Sequence, residues 1–429
     1  MSTTLPVFNL AHQHRPDEVL EPRTSAEVVR AVRAAAAAGR RLHPVGTGHG
    51  WTHAIEGGTA LLTCGLDTVT IDGERSSARI GAGCRFQEVI VAVAPHGLTP
   101  LAGSAPAVGV IGFLLGGGLS PLGRSYGWAT DYVRSAEVVT GTGEIVTASE
   151  AEHPELFRAL LGGKHVPGVV TAVEIDLLPL STFYGGGLFF DAGDAETVLT
   201  TWATWSAQVP EHVNTSAALV RMPDLDSVPV PLRGRFVVHL RIAVPLDLVG
   251  ADEAATLVAP LRSLASPLLD TLGVLPASGI GAVHADPVRP MPVLEAGALL
   301  RDFDPTAARK MLAVAGPQTA APLAMIEVRR LGGRLAEPPK RPDAVVGRDA
   351  AYGLFVVSAP VPELFADAVP AAVGGLAKAM APWASGGFQP NFVGALNQPS
   401  AFATAWPEET AGLLRSVRET YDPADVIGH

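Results

Sequence analysis

From Leu101 to Pro121 the chain reads LAGSAPAVGVIGFLLGGGLSP, a stretch with six glycines and no charge. Glycine inside a helix costs about 1 kcal/mol relative to alanine, so a tract this dense is a poor long helix. Pro95, Pro100, Pro106 and Pro121 interrupt the uncharged run from Val89 to Gly123, which argues against a membrane span. The tract therefore reads as loops that let backbone approach something closely.

A second cluster, Val45-Gly46-Thr47-Gly48-His49-Gly50-Trp51, follows the strand-like run Arg41 to Val45. Alone it is equally a surface turn with an incidental histidine. Two glycine loops in strand-rich context imply one extended polar ligand held against backbone at two places, and clustered N–H groups suit an anion. Neither loop is a dinucleotide GxGxxG opening a helix with an acidic residue downstream, and no Gly-Lys-Ser/Thr marks a P-loop.

A length of 429 residues suits two or three domains. With 31 basic against 42 acidic residues, the net charge of −11 argues against nucleic acid or an anionic membrane as partner. Cys64 and Cys84 provide neither a disulfide framework nor a zinc site and fit a cytoplasmic location. No basic-then-apolar leader opens the sequence, and His12, His14, His43, His53 and His96 lack metal-ligand spacing, so no metal is expected.

Thr24-Ser25-Ala26-Glu27 predicts a capped helix ending before Gly39, followed by a strand at Arg41 to Val45. Short strands and helices continue to Leu178. Near Pro179 longer alternating runs begin, such as Phe236-Val237-Val238-His239-Leu240-Arg241-Ile242 and Met325-Ile326-Glu327-Val328-Arg329, with helices between them. This texture predicts an α+β chain whose second domain is an antiparallel sheet with helices on one face. A strand at Asn391 to Leu396 and a helix at Pro407 to Tyr421 are expected to close it.

These motifs, taken in order, resemble the vanillyl-alcohol oxidase superfamily with its PCMH-type FAD domain, and most of all the berberine-bridge-enzyme-like branch. The residues that carry the resemblance are Gly46 to Gly50, VGVIGFLLGGGLSPLGRSYGWATD from Val108 to Asp131, and LFRALLGG with GVVTAVEI between Leu156 and Ile175. Ile326-Glu327-Val328 before Leu331-Gly332-Gly333, Pro390-Asn391-Phe392 and Tyr421-Asp422-Pro423 complete it. The resemblance implies a two-part FAD-binding domain, residues 15–180 with 386–429, around a substrate domain at 181–385. It implies that Gly46, Thr47, Gly48, His49 and Gly50 hold the pyrophosphate and ring edge. Gly103, Ser104, Val108, Gly109, Gly112, Gly117, Gly118 and Val170 line the rest, and Asn391 closes the site.

In the family the histidine at the position of His49 is often joined to the flavin 8α-methyl carbon. This chain departs by having Val45 where an arginine is usual and Thr47 where a glycine is usual. The Gly103-Ser104-Ala105-Pro106 loop has no cysteine for a second link. Lys164-His165 also departs from the pattern, and Lys164 is expected to face solvent. Gln389 stands where many members place a tyrosine that handles the substrate proton, and an amide cannot act as a base.

The base is then sought among Tyr352, Tyr184, Glu327, His284 and His165, unless the reaction needs none or the protein has turned to another role. The function so implied is an FAD-dependent oxidase that takes hydride to flavin N5 from a small hydrophobic alcohol, amine or ring carbon in specialised metabolism. Molecular oxygen is the expected acceptor. The rival is a flavin-scaffolded, non-redox cyclase or binding protein.

Overall fold

The computed structural model describes residues 5–164, 167–397 and 404–428. It is built on three sheets. A parallel sheet, in the order β1 (Glu18–Leu20), β3 (Thr59–Leu62), β2 (Leu42–Val45), is covered by the helix Ser25–Ala37. That helix starts as expected, with Thr24 Oγ1 accepting from Glu27 N at 3.2 Å, and buries Val28, Val32 and Ala35.

An antiparallel sheet of β4 (Val69–Asp72), β5 (Ser77–Gly81), β8 (Gly168–Asp176), β6 (Val133–Thr140) and β7 (Ile145–Ser149) lies beside it. The dense glycine tract runs over this sheet. Its middle is the short helix Val110–Leu115, which the sequence reading did not anticipate. Val110 and Leu114 anchor this helix in the same core as Val138, Val170 and Val173.

The third sheet is antiparallel, in the order β12 (Leu269–Asp270), β9 (Thr182–Asp191), β11 (Phe236–Pro245), β10 (Asn214–Arg221), β15 (Leu323–Arg330), β16 (Tyr352–Ser358), β14 (Glu295–Leu300), with β13 (Gly273–Pro276) also on β9. Strand side chains alternate between faces. One face buries Leu188, Leu240, Leu219, Val328 and Leu354 against the helices Ala195–Ser206, Ala251–Arg262, Pro305–Ala315 and Ala368–Met380. The intervening positions put His239, Arg241, Ser216, Glu327 and Arg329 on the opposite face.

The C-terminal residues return to the first sheet. Leu42 N donates to Val426 O and Gly428 N donates to Leu42 O, both at 2.8 Å. Asp422, 2% exposed, accepts from Val426 N and Ile427 N and shapes this return. The strand expected at Asn391–Leu396 is absent. Pro390 has no N–H for a ladder, and Gln389 Oε1 takes the Asn391 N–H at 2.6 Å, so Pro390–Phe392 closes as a 3₁₀ turn. No helix among the described residues is long and apolar enough to cross a membrane.

Candidate flavin and substrate site

β2 ends at Val45 and delivers the first glycine loop. Gly48 has φ +70°, and a Cβ there would lie 2.5 Å from Val7 Cβ, so only glycine lets the loop turn against the N-terminal segment. That segment pairs with it, Phe8 N donating to Thr47 O at 2.9 Å and Asn9 N to Gly48 O at 3.1 Å. Phe8 then stacks on the His49 ring with centroids 4.1 Å apart.

The two glycine loops meet through Thr47. Its Oγ1 accepts from Gly109 N at 3.1 Å and contacts His49 Nδ1 at 2.9 Å. The hydroxyl that departs from the family glycine therefore ties the loops together. The N–H groups of Thr47 to Gly50 and of Gly103 to Ala105 find no protein acceptor among the described residues. His49 Nε2 is buried and also unpartnered. Burial, with Arg85 nearby, pushes the His49 ring down to about 4, so it is neutral at pH 7. Two rows of free N–H donors and a neutral histidine fit the pyrophosphate and ring edge of FAD.

The other predicted lining residues divide. Gly46, Gly50 and Gly112 are exposed, and a Cβ on Gly112 would meet nothing, which leaves that stretch open to a guest. Ser104 and Val108 are half-buried on the second loop. Gly103, Gly117 and Gly118 instead serve packing. A Cβ on Gly103 or Gly118 would press Phe113 at 2.8 Å, and on Gly117 would lie 3.3 Å from Trp128. The Val170 side chain points into the core, lining a small cavity beneath the helix Val110–Leu115.

Asn391 closes this region as the end of a clasp. Its Nδ2 donates to Phe113 O at 2.8 Å, and its Oδ1 accepts from Lys164 Nζ at 2.6 Å, an ammonium that also reaches Gly112 O at 3.3 Å. Lys164 is thus not the solvated side chain expected from sequence. Its backbone takes φ +60°, rare for a side chain this long, and burial lowers its ammonium to about 8. Burial raises the nearby Glu295 to about 7, against the pull of Lys164. His165 lies outside the described residues.

The proposed catalytic residues do not converge. Gln389 is 2% exposed and committed at both ends, Nε2 donating to Gly116 O at 2.6 Å while Oε1 accepts from Asn391 N. It is a structural clip. Tyr352 lies on the helix side of the large sheet, between Trp202 and Phe303, its hydroxyl 3.1 Å from Ser206 Oγ. Tyr184 is on that side too, accepting from Arg262. Even strand positions turn both tyrosines away from the glycine loops.

Glu327 does face the FAD-binding half. Burial alone would raise its carboxyl, but Arg329, Arg241 and His284 hold it well below the usual range, so it stays ionised and is a weak base. Its Oε1 lies 3.2 Å from Arg241 Nη1, and its Oε2 3.0 Å from Arg329 Nη2. His284 Nε2 sits 3.1 Å from Glu327 Oε1, and burial lowers this histidine as well. The segment around His284 borders the cofactor loops, since a Cβ on Gly281 would press Pro106 at 2.9 Å and Asp286 acts on His49.

Sequence reading missed Arg241, His239 and Ser216. The signal was present as charged and polar residues at every second position of otherwise apolar strands. His239 stacks on Phe189 at 3.9 Å, in space left by the absent Cβ of Gly187, and Arg241 Nε donates to its Nδ1 at 3.2 Å.

Residues 16–149 match the FAD binding domain family. A stretch of 132 residues, 31% of this chain and 26% of the relative, is 39% identical to the FAD-dependent monooxygenase tpcD of Cochliobolus heterostrophus. The (R)-6-hydroxynicotine oxidase of Paenarthrobacter nicotinovorans is 29% identical over 65% of this chain and 60% of its own length. The matched part thus spans less than two thirds of these curated relatives.

Solved structures match almost throughout. The 6-hydroxy-D-nicotine oxidase of Arthrobacter nicotinovorans superposes with TM-score 0.82 at 24% identity, covering 98% of this chain and 92% of that one. BBE-like 1 of Physcomitrella patens superposes with TM-score 0.83 at 18% identity and the same coverages. Residues 16–149 carry an FAD-binding domain, and the chain as a whole has the fold of these solved oxidoreductase-type structures.

Proposed function

We propose that the protein is an FAD-dependent oxidoreductase, an oxidase that removes hydride from a small molecule, with molecular oxygen as acceptor, in specialised metabolism. The observation that carries this reading is the pair of glycine loops, bridged by Thr47, which carry free N–H groups and a neutral His49 whose Nε2 has no partner. The oxidase and monooxygenase names of the relatives favour redox chemistry over a flavin-scaffolded cyclase.

Bound FAD would supply the two-electron acceptor. Thr47 to Gly50 and Gly103 to Ala105 would hold its anionic part through backbone donors. His49, fixed between Phe8 and Thr47, would meet the ring edge and is the residue for a covalent link. The Asn391 clasp would seal this side of the cleft. For the substrate proton, His284 is the base that remains among the described candidates: with Nε2–H donated to Glu327, its buried, unpartnered Nδ1 is the basic nitrogen, and Arg329 Nη2, 3.0 Å from Nε2, also holds the ring.

The test is a visible spectrum of the purified protein followed by acid precipitation. The expected result is a flavin spectrum, with colour kept in the precipitate and released by His49→Ala. A folded protein that is colourless and takes up no added FAD would overturn the proposal. Colour released from the unmodified chain would remove only the covalent link.

A further inference from the structure

The polar face of the large sheet closes against residues 119–124 and the segment before His284 around a narrow, partly open cavity of about 20 Å³, room for one small polar group. It is lined by Ser120, Ser216, Arg241, His284 and Arg329 among others. Three buried groups on its wall have polar atoms with no hydrogen-bond partner among the described residues: Ser216 Oγ, His284 Nδ1 and Arg241 Nη1. These residues are 2%, 5% and 3% exposed. Buried polar groups without partners are each destabilising by about 1–3 kcal/mol, so three such atoms on residues lining one cavity mark it as a place that suits a guest.

The charge of the walls selects that guest. Arg241 and Arg329 bring two guanidinium groups to it and Arg124 borders it, while the Arg330 side chain lies on the other face of the sheet over Tyr352, and among the described residues no carboxylate lines it. Glu327, behind the wall, is the one acid in contact, and it is shared by Arg241 and Arg329. Arg124 spends its N–H groups on carbonyls, such as Val213 O at 2.9 Å, but keeps its charge. Arg329 is turned to Glu327 and Leu119 O. Arg241 is different, because its Nη1 touches Glu327 Oε1 at 3.2 Å without hydrogen-bond alignment and its Nη2 finds only the Met325 sulfur, at 3.5 Å. His239 and His284 are both lowered by burial and add no charge near neutral pH.

We propose that this cavity is the subsite for a carboxylate on the substrate, held by Arg241 Nη1 and Ser216 Oγ, so that the protein acts on carboxylate-bearing small molecules. The inference rests on the oxidoreductase reading for the word substrate. The anion would occupy the charge excess that Glu327 alone leaves, and would meet Arg241 Nη1, which only the poorly aligned Glu327 contact engages, and the partnerless Ser216 Oγ.

The experiment titrates acetate and benzoate into the flavin-loaded protein, following thermal unfolding and flavin absorbance, with benzamide and sodium chloride as comparison probes. The expected result is a saturable rise in Tm and a flavin difference spectrum with the carboxylates and neither with benzamide or chloride. Arg241→Gln should weaken benzoate by tenfold or more, and Ser216→Ala by several-fold. Should Arg241→Gln fail to fold, Ser216→Ala decides, since that hydroxyl has no other partner to lose. No saturable response, an equal response to benzamide or chloride (an adventitious ion only), or unchanged benzoate affinity in the folded variants would overturn the proposal. A colourless protein would instead strike the oxidoreductase reading, and the thermal shift would still decide whether the cavity takes carboxylates.

Discussion

Gly116→Ala tests the clasp over the cofactor cleft. Gly116 has φ −99° and ψ 18°, a conformation alanine adopts, so any cost arises from the new methyl alone. That methyl would fall on the Asn391 carboxamide, 2.8 Å from Nδ2 and nearer still to Oδ1. Asn391 must then leave its place, which breaks its bonds to Phe113 O and Lys164 Nζ. A neutral hydrogen bond contributes about 0.5–1.5 kcal/mol and one to a charged group about 1.5–3, so the substitution should cost about 2–4 kcal/mol. At about 2 °C per kcal/mol, the low end for large domains, Tm falls by about 4–8 °C. Asn391→Ala removes the same two bonds and should cost a similar amount. With Asn391 already gone, adding Gly116→Ala should cost less than about 0.5 kcal/mol, the usual margin of additivity. Thermal unfolding of the four proteins at one scan rate measures the cycle. A Gly116→Ala cost that is the same in both backgrounds would refute the clasp.

Two further outcomes follow from the same geometry. His49 binds fewer protons folded than unfolded between its ordinary 6.5 and its folded value of about 4. Its share of stability is therefore present above 6.5 and lost as pH falls to about 4, about 3 kcal/mol in all. Urea unfolding of the FAD-free protein across that range should show a shallower acid slope in His49→Gln, and an unchanged slope would refute the shift. Tyr352→Phe removes only the contact with Ser206 on the helix side, so it should lower stability by about 1 kcal/mol and leave turnover and the flavin spectrum as they were. A large loss of turnover in a stable variant would return Tyr352 to the site.

The sequence made the cofactor half legible because its signals are local. Thr24 with Glu27 marks a helix start, Gly48 marks a positive φ, and the glycine tract excludes side chains wherever the backbone must come close. The long-range consequences were not legible. Lys164 looks like a surface lysine until the turn from Pro390 to Phe392 is seen to bring Asn391 across to it, a contact between residues 227 apart in the chain. Tyr352 and Glu327 were both plausible as bases by residue type. Only strand register, Glu327 opposite Phe355 and Arg330 opposite Tyr352, shows that they occupy opposite faces of one sheet. Arg241 lay in view within an apolar strand, but which face would meet the FAD-binding half depends on the packing of the whole domain.

The return of residues 426–428 to β2 bears on how the protein is made. The strand that delivers the first cofactor loop has as one neighbour a segment translated hundreds of residues later, after the entire large sheet. A nascent chain that has exposed β3 as well holds β2 with one side paired and the other open. Closing so long a loop makes the edge a late event, and until then the open strand is a site for wrong pairing. The strand beside the first glycine loop thus gains its second neighbour only once residues 426–428 have been made.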